Sequence, residues 1–323
     1  MRFVLPLIFM FVALPVLAAE APKPDFSHWL AQFKQDALAQ GISQDVIDEA
    51  FQDIQEPLAT IVTHDQTQPE HVKTFSEYLD GMLTRKRIMK AREKQRENAR
   101  ILRKITRVYH VQPSVLLALW SIESNFGDNQ GDYSVIQSLA TLAYDGRRSS
   151  LFRSELLKAL KIIQNEDADA EDLTGSWAGA MGQTQFMPSS YLQYAVDFDD
   201  DGKKDIWNSN ADALASIANY LHSKGWNDKK PCLIAVNLPE SGDVDEWRNN
   251  KVYKTLKEWR ALGFEREDGR KLPRRNDKAR LIVPDDDTSA FLVFPDYDII
   301  MDWNRSIYFA TSVCLLSDKI GHK

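Results

Sequence analysis

Residues 114–134 read SVLLALWSIESNFGDNQGDYS, and the first half of that run is the most apolar part of the chain after its N-terminal segment. Pro113 suits the first turn of a helix that continues through Leu116, Leu117, Leu119, Trp120 and Ile122. Gly127 is placed to follow its end, so Glu123 falls in the last turn. A helix this apolar has to be enclosed by the rest of the fold. The negative end of the helix dipole and apolar neighbours both favour the protonated acid, so the Glu123 pKa is expected to be raised. A carboxylic acid held neutral near pH 7 is what protonating a leaving oxygen requires. The alternative is a glutamate that points to solvent from a helix end.

Two further segments carry chemistry. TGSWAGAMGQTQFMPSSYLQYA, residues 174–195, places Gly175, Gly179 and Gly182 where backbone can approach a ligand closely. Ser176 and Gln185 offer hydrogen bonds there, and Trp177, Phe186 and Tyr191 offer flat faces, a mixture that suits a pyranose. A Gly-rich turn between helices is the alternative. In DFDDDGKKDIWNSNAD, Asp197, Asp199 and Asp201 alternate before Gly202, which reproduces the first half of a calcium loop. The Lys203 carbonyl is the next ligand in that pattern. Asn208 stands where a bidentate Glu is usual, so Asp205 or Asp212 has to complete the shell. The six His show no metal-ligand spacing such as HExxH, and no Walker or Rossmann fingerprint is present.

The rest of the chain frames these segments. Arg2, an apolar run from Phe3 to Leu17 and then small residues predict an export signal over residues 1–19 and a soluble periplasmic protein without a membrane span, the alternative being an uncleaved anchor. Residues 24–105 carry helical spacing, with Ser43 expected to cap a helix through Val46, Ile47, Ala50 and Phe51. Residues 84–107 hold eleven Lys or Arg against two Glu: either a grip for an anionic polymer or the solvated face of a long helix. A total charge of −7 argues against a nucleic-acid partner. After Pro231 the short apolar runs LIAVNLP, ARLIVP, AFLVF and YDIIMDW suit strands, and RSIYFATSVCLLSDKI suits a final helix. Cys232 and Cys314 can pair in an oxidising compartment or stay as two buried thiols.

Taken in order, ALWSIESNFG, GSWAGAMGQTQFMPSSYLQYAVDFDDDG and ADALASIANYL resemble the membrane-bound lytic murein transglycosylase B family. The resemblance implies a mainly α (α+β) protein: a helical domain at 20–108, a lysozyme-like core at 109–230 with a calcium-type loop at 197–212, a small antiparallel β subdomain at 231–300, and a C-terminal helix at 301–323 that packs back on the core. It implies a lyase-type enzyme that cleaves the β-1,4 bond between N-acetylmuramic acid and N-acetylglucosamine in peptidoglycan and leaves a 1,6-anhydro end. Glu123 matches the family's acid/base. Ser176, Gln185, Phe186, Arg147, Arg148, Tyr220, Asn304 and Tyr308 match its sugar cleft. Asp197, Asp199, Asp201 and Lys203 match its Ca2+ loop, with Asp205 and Asp212 as candidates to close the shell, and no organic cofactor is implied. Glycan strands are the expected partner, with other cell-wall enzymes left open. The lipoprotein Cys of some members is missing, and one extra residue near Asn210 makes Asp212 the less secure ligand. Two rivals stay open: a muramidase that uses water, and a wall-binding scaffold without activity.

Overall fold

The structure, a computed structural model, describes residues 25–66, 73–145, 148–240, 242–249, 252–284 and 289–321. The expected export signal and Arg147 lie outside those residues. Six helices come first: α1 (Phe26–Ala39), α2 (Gln44–Phe51), α3 (Ala59–Gln66), α4 (Phe75–Met82), α5 (Arg85–Glu97) and α6 (Ala99–Tyr109). Ser43 caps α2 as its sequence predicts, its hydroxyl accepting from the Val46 N–H. The basic stretch is two helices, α5 and α6, joined through Asn98, which leaves helical geometry at φ −97°, ψ 14°.

The middle of the chain forms α7 (Pro113–Ser124), β1 (Tyr133–Ser134), α8 (Val135–Asp145), α9 (Ser149–Gln164), β2 (Thr174–Gly175), α10 (Pro188–Tyr194) and α11 (Asn210–Ser223). Every residue of α7 from Val115 to Ser121 is buried, the enclosure that its composition demands. It is wrapped by α5, α6, α11 and the terminal helix. Pro113 takes the first helical position, but the terminating left-handed residue is Asn125 rather than Gly127. Asn125, Phe126 and Gly127 all have positive φ (52°, 66° and 87°), so the chain turns sharply away just beyond Glu123.

The last third contains β3 (Leu233–Asn237), α12 (Val244–Asn249), β4 (Tyr253–Thr255), α13 (Leu256–Ala261), β5 (Glu265–Arg266), β6 (Lys278–Ile282), β7 (Ala290–Val293), α14 (Pro295–Trp303) and α15 (Ile307–Gly321). The five strands form one antiparallel sheet in the order β4-β6-β7-β3-β5. Its central strands are apolar on both faces because two cores use them. Leu233, Phe291, Val293 and Ile282 face the main core, while Val236, Leu292, Ala290 and Leu281 face a smaller one with Trp247, Trp259 and Phe264. YDIIMDW, expected as a strand, is helical instead. Pro295 at its first turn, with Asp296 and Asp298 beside it, is a helix-start pattern that outweighs the apolar run. Cys232 and Cys314 form a disulfide between the start of β3 and α15, with Cα atoms 5.6 Å apart.

Candidate active site

Glu123 sits at the last turn of α7, half-buried. Its Oε1 accepts a 2.7 Å hydrogen bond from the Trp303 indole N–H, at the end of α14. Burial pushes the carboxyl up to about 8, with the Trp303 donor pulling the other way. The helix dipole contributes less than the sequence suggests, because cations from α5 cover the end of α7. The Arg87 guanidinium donates to the Ser121 carbonyl at 2.6 Å and hydroxyl at 3.0 Å. The Lys90 ammonium donates to the Asn125 carbonyl at 3.1 Å and pairs with Asp128 at 2.5 Å. These contacts satisfy carbonyls that would otherwise present the negative pole to the acid.

A set of rings packed edge-on or tilted lies beside the acid. Trp303 packs on Phe186 with centroids 5.1 Å apart and on Tyr220 at 4.8 Å, and Tyr194 meets Tyr220 at 4.7 Å. Phe186 and Tyr220 are buried, so they support Trp303 from below. On another side Tyr78 of α4 packs at a tilt on Tyr308, centroids 5.6 Å apart, and the Glu123 charge contributes to raising the Tyr78 pKa after burial. Asn304 is exposed and its Oδ1 accepts from the Ser306 N–H at 3.1 Å.

The glycine-rich segment is held from inside. The Ser124 hydroxyl donates to the Gln183 carbonyl at 2.7 Å and accepts from the Gly127 N–H at 3.0 Å. The Trp120 indole donates to Gln183 Oε1 at 2.8 Å. The half-buried Ser176 hydroxyl accepts from Ala180 N–H at 3.1 Å, and the Gln185 amide donates to the Gln130 and Gly182 carbonyls, each at 2.9 Å. The glycines answer to neighbouring protein rather than to a ligand. A Cβ on Gly175 would stand 2.2 Å from the Ala180 carbonyl oxygen, and one on Gly182 2.8 Å from that of Ile206. Arg148 pairs with the buried Asp65 of α3 at 2.6 Å, and His64 of the same helix lies against Trp177 at 5.8 Å.

In the acidic loop, carboxylate oxygens of Asp197, Asp199 and Asp212 lie within 4.8 Å of one another. Asp212, from the first turn of α11, is buried and accepts from Phe198 N–H at 2.7 Å and Asp205 N–H at 2.9 Å. Burial, then the charges of Asp199 and Asp197, raise it to about 6. Asp201 accepts from Lys203 N–H at 2.9 Å, and Asp205 from Trp207 and Asn208 N–H at 2.9 and 2.8 Å, so both cap turns. A donor set of three converging carboxylates fits a hard divalent cation.

Sequence reasoning did not single out Trp303, Gln183, Arg87 or Tyr78. The WN pair at 303–304 was the available signal for Trp303, since a tryptophan beside a predicted cleft residue is a ring beside a site.

A lysozyme-like helical core with one enclosed glutamic acid at a helix end is the class that this fold and site define. The transglycosylase SLT domain matches residues 25–318, and the chain belongs to that family. Membrane-bound lytic murein transglycosylase B of Escherichia coli K12 is 41% identical over 126 residues, 39% of this chain and 35% of that protein, so the match spans about a third of that relative. SltB3 from Pseudomonas aeruginosa, crystallised in complex with NAG-anhNAM-pentapeptide, is 41% identical with a TM-score of 0.87, over 92% of this chain and 79% of that one. Slt35 from E. coli, crystallised in complex with calcium, shares the fold at 24% identity and a TM-score of 0.76, over 90% and 92% of the two chains.

Proposed function

We propose that this chain is a lytic transglycosylase that cleaves the β-1,4 bond between N-acetylmuramic acid and N-acetylglucosamine in peptidoglycan and closes a 1,6-anhydro ring. The observation that carries the reading is a solitary acid. Burial raises the Glu123 pKa and Trp303 opposes it, and no neighbouring carboxylate is among the causes of that shift. An ordinary glycosidase uses two carboxylates. One suffices when the sugar supplies its own nucleophile. Similarity to SltB3, crystallised with NAG-anhNAM-pentapeptide, supports the same product here.

An indole N–H can only donate, so Oε1 serves as acceptor and the acidic proton is favoured on Oε2. Oε2–H then protonates the glycosidic oxygen as the C1–O bond breaks. The resulting carboxylate takes the proton of the muramoyl C6 hydroxyl as O6 bonds to C1, which regenerates the acid and consumes no water. Ser176 and Asn304 would position the acetamido group, Gln185 and Tyr308 the rings, with Tyr220 and Phe186 acting through Trp303, and Arg147 with Arg148 the anionic peptide stems. Asp197, Asp199 and Asp212 would hold Ca2+, whose chemistry here is to neutralise three converging carboxylates, with Asp201, Asp205 and the Lys203 carbonyl beside it. Among the described residues no helix is long and apolar enough to cross a membrane, and the N-terminal segment supports export to the periplasm.

The test is mass spectrometry of digested peptidoglycan. Anhydro-muropeptides, lighter by one water than hydrolysis products, are expected. Glu123→Gln should lower the rate about 10²- to 10⁴-fold, the usual weight of a general acid. Reducing ends would assign a water-using muramidase, and binding without released fragments a scaffold. Undiminished turnover by the variant would remove Glu123 from the mechanism.

A further inference from the structure

Residues 84–107 carry a net charge of +9 (eleven Lys or Arg, two Glu) in a chain whose total is −7, which leaves −16 for everything else. The structure divides those cations by face. On the inner face Arg87 and Lys90 grip the end of α7, and Arg92 donates to the Lys319 carbonyl of α15 at 2.7 Å. On the outer face Arg85, Arg96, Arg100, Arg103, Lys104 and Arg107 are exposed, and none forms an ion pair with a described residue. Of the two acids, Glu97 pairs with Lys94 and Glu93 is exposed.

Hydrogen bonds run on through the joint, from Asn98 N–H to the Lys94 carbonyl and from Leu102 N–H to the Asn98 carbonyl, so α5 and α6 remain nearly continuous. The steps from 96 to 100, 100 to 103 or 104, and 103 to 107 are helical neighbours, which sets like charges side by side along a stripe of about 17 Å. Against that repulsion stand Glu93 and Glu97, one turn before Arg96 and Arg100, and a polyanion would relieve the rest.

We infer that the outer face of α5 and α6 is an accessory binding surface for the carboxylate-bearing peptide stems of peptidoglycan, outside the cleft. The inference rests on the activity proposed above. Arginine predominates, and its planar fork matches carboxylates in pairs of hydrogen bonds. The inner face of the same helix abuts α7, so a strand held by the stripe stays beside Glu123. A lipid surface fits less well. The exposed apolar residues on the two helices are Met89 and Val108, near opposite ends, with no aromatic anchor of the kind that interfacial helices carry.

The test uses the full chain with Arg96, Arg100, Arg103 and Arg107 each changed to Gln, residues outside the catalytic machinery. Pelleting is measured with insoluble sacculi, with glycan stripped of its stems and with phosphatidylglycerol vesicles, at 50 and 300 mM NaCl. The expected result is roughly tenfold weaker binding of the variant to stem-bearing sacculi at low salt, a difference erased by high salt. Binding to stem-free glycan and turnover of short soluble glycan are expected to match the parent. Should the fourfold variant fail to fold, Arg103→Gln with Arg107→Gln is expected to give an intermediate loss. Equal pelleting of parent and variant at low salt overturns the inference. So does an equal loss on stem-free glycan, or a loss confined to phosphatidylglycerol vesicles. Binding is read without turnover, so a parent that pelleted with sacculi but released no anhydro product would count against the proposed activity and leave the stripe standing.

Discussion

Replacing Trp303 by Phe separates the acid's hydrogen bond from the packing around it. A phenyl ring keeps most of the contact with Phe186 and Tyr220 but loses the N–H that Oε1 accepts. That donor stabilises the carboxylate more than the acid, and a hydrogen bond to a charged group contributes about 1.5–3 kcal/mol. At 1.36 kcal/mol per pKa unit, its loss should raise the Glu123 pKa by about one to two units from its present value of about 8. The assay is kcat/KM for soluble glycan from pH 5 to 10. Its alkaline limb reports loss of the acidic proton in the free enzyme, so the limb should move to higher pH by that amount. The plateau should fall as well, because the acid is no longer aimed and the carboxylate that must form is less stable. A limb that stayed in place, or moved to lower pH, would refute the claim that Trp303 acts on the acid. A uniform fall with no shift would mark Trp303 as packing only.

The remaining expectations concern stability. Glu123 has a folded pKa above its unfolded value near 4.5, so its stabilising contribution is complete below pH 4.5 and is lost as pH rises to about 8. Glu123→Gln should therefore gain stability over the parent across that window, by up to several kcal/mol in urea unfolding at pH 9, and a pH-independent difference would contradict the burial argument. Calcium at a hundred times its Kd should stabilise by about 2.7 kcal/mol, raising Tm by several degrees, and Asp199→Asn should abolish most of that shift; identical melting with calcium and chelator would make the loop a plain turn. Reducing Cys232–Cys314, or changing both to Ser, opens an 82-residue loop and should cost about 4.5 kcal/mol in the chain-entropy account, so an unchanged urea midpoint would show that the bridge adds nothing to packing already in place.

Local signals in this chain were legible where one element decides its own geometry. Pro113, the apolar run and Glu123 in the last turn read correctly, as did the Ser43 cap. What failed was context. YDIIMDW has a strand's composition, and only Pro295 and the two aspartates of its first turn say otherwise. Gly175, Gly179 and Gly182 suited either room for a ligand or a turn, and the structure packs Gly179 and Gly182 against Leu139 and Ile206 from elsewhere in the chain and Gly175 against Ala180 of its own segment. The dipole argument for Glu123 was incomplete for the same reason, since Arg87 and Lys90 come from a helix some 35 residues earlier. Asp212, a candidate to close the shell that one extra residue near Asn210 made less secure, does join Asp197 and Asp199, because α11 starts at Asn210 and turns it inward.

The environment of Glu123 is assembled from distant parts of the chain, which makes the five-stranded sheet part of the acid's setting rather than an appendage. The donor on Oε1 is the last residue of α14, and α14 is fixed by the sheet. Asp298 accepts from Arg280 of β6 and from the Tyr253 hydroxyl of β4, while the Tyr297 hydroxyl bonds Thr311 on α15 at 2.9 Å. The disulfide ties β3 to that same helix α15, which packs along α7. Shifting the sheet would thus displace Trp303 relative to Oε1, and hydrogen bonds weaken steeply with misalignment. It follows that Asp298→Asn, a surface-level change remote from the glycan, should weaken Arg280 and Tyr253 pairing and move the alkaline limb in the same direction as Trp303→Phe, though less far. If the rate profile of Asp298→Asn kept the parent's limb while its urea midpoint fell, the sheet would be supporting the fold without tuning the acid, and the coupling between the two would have to be abandoned.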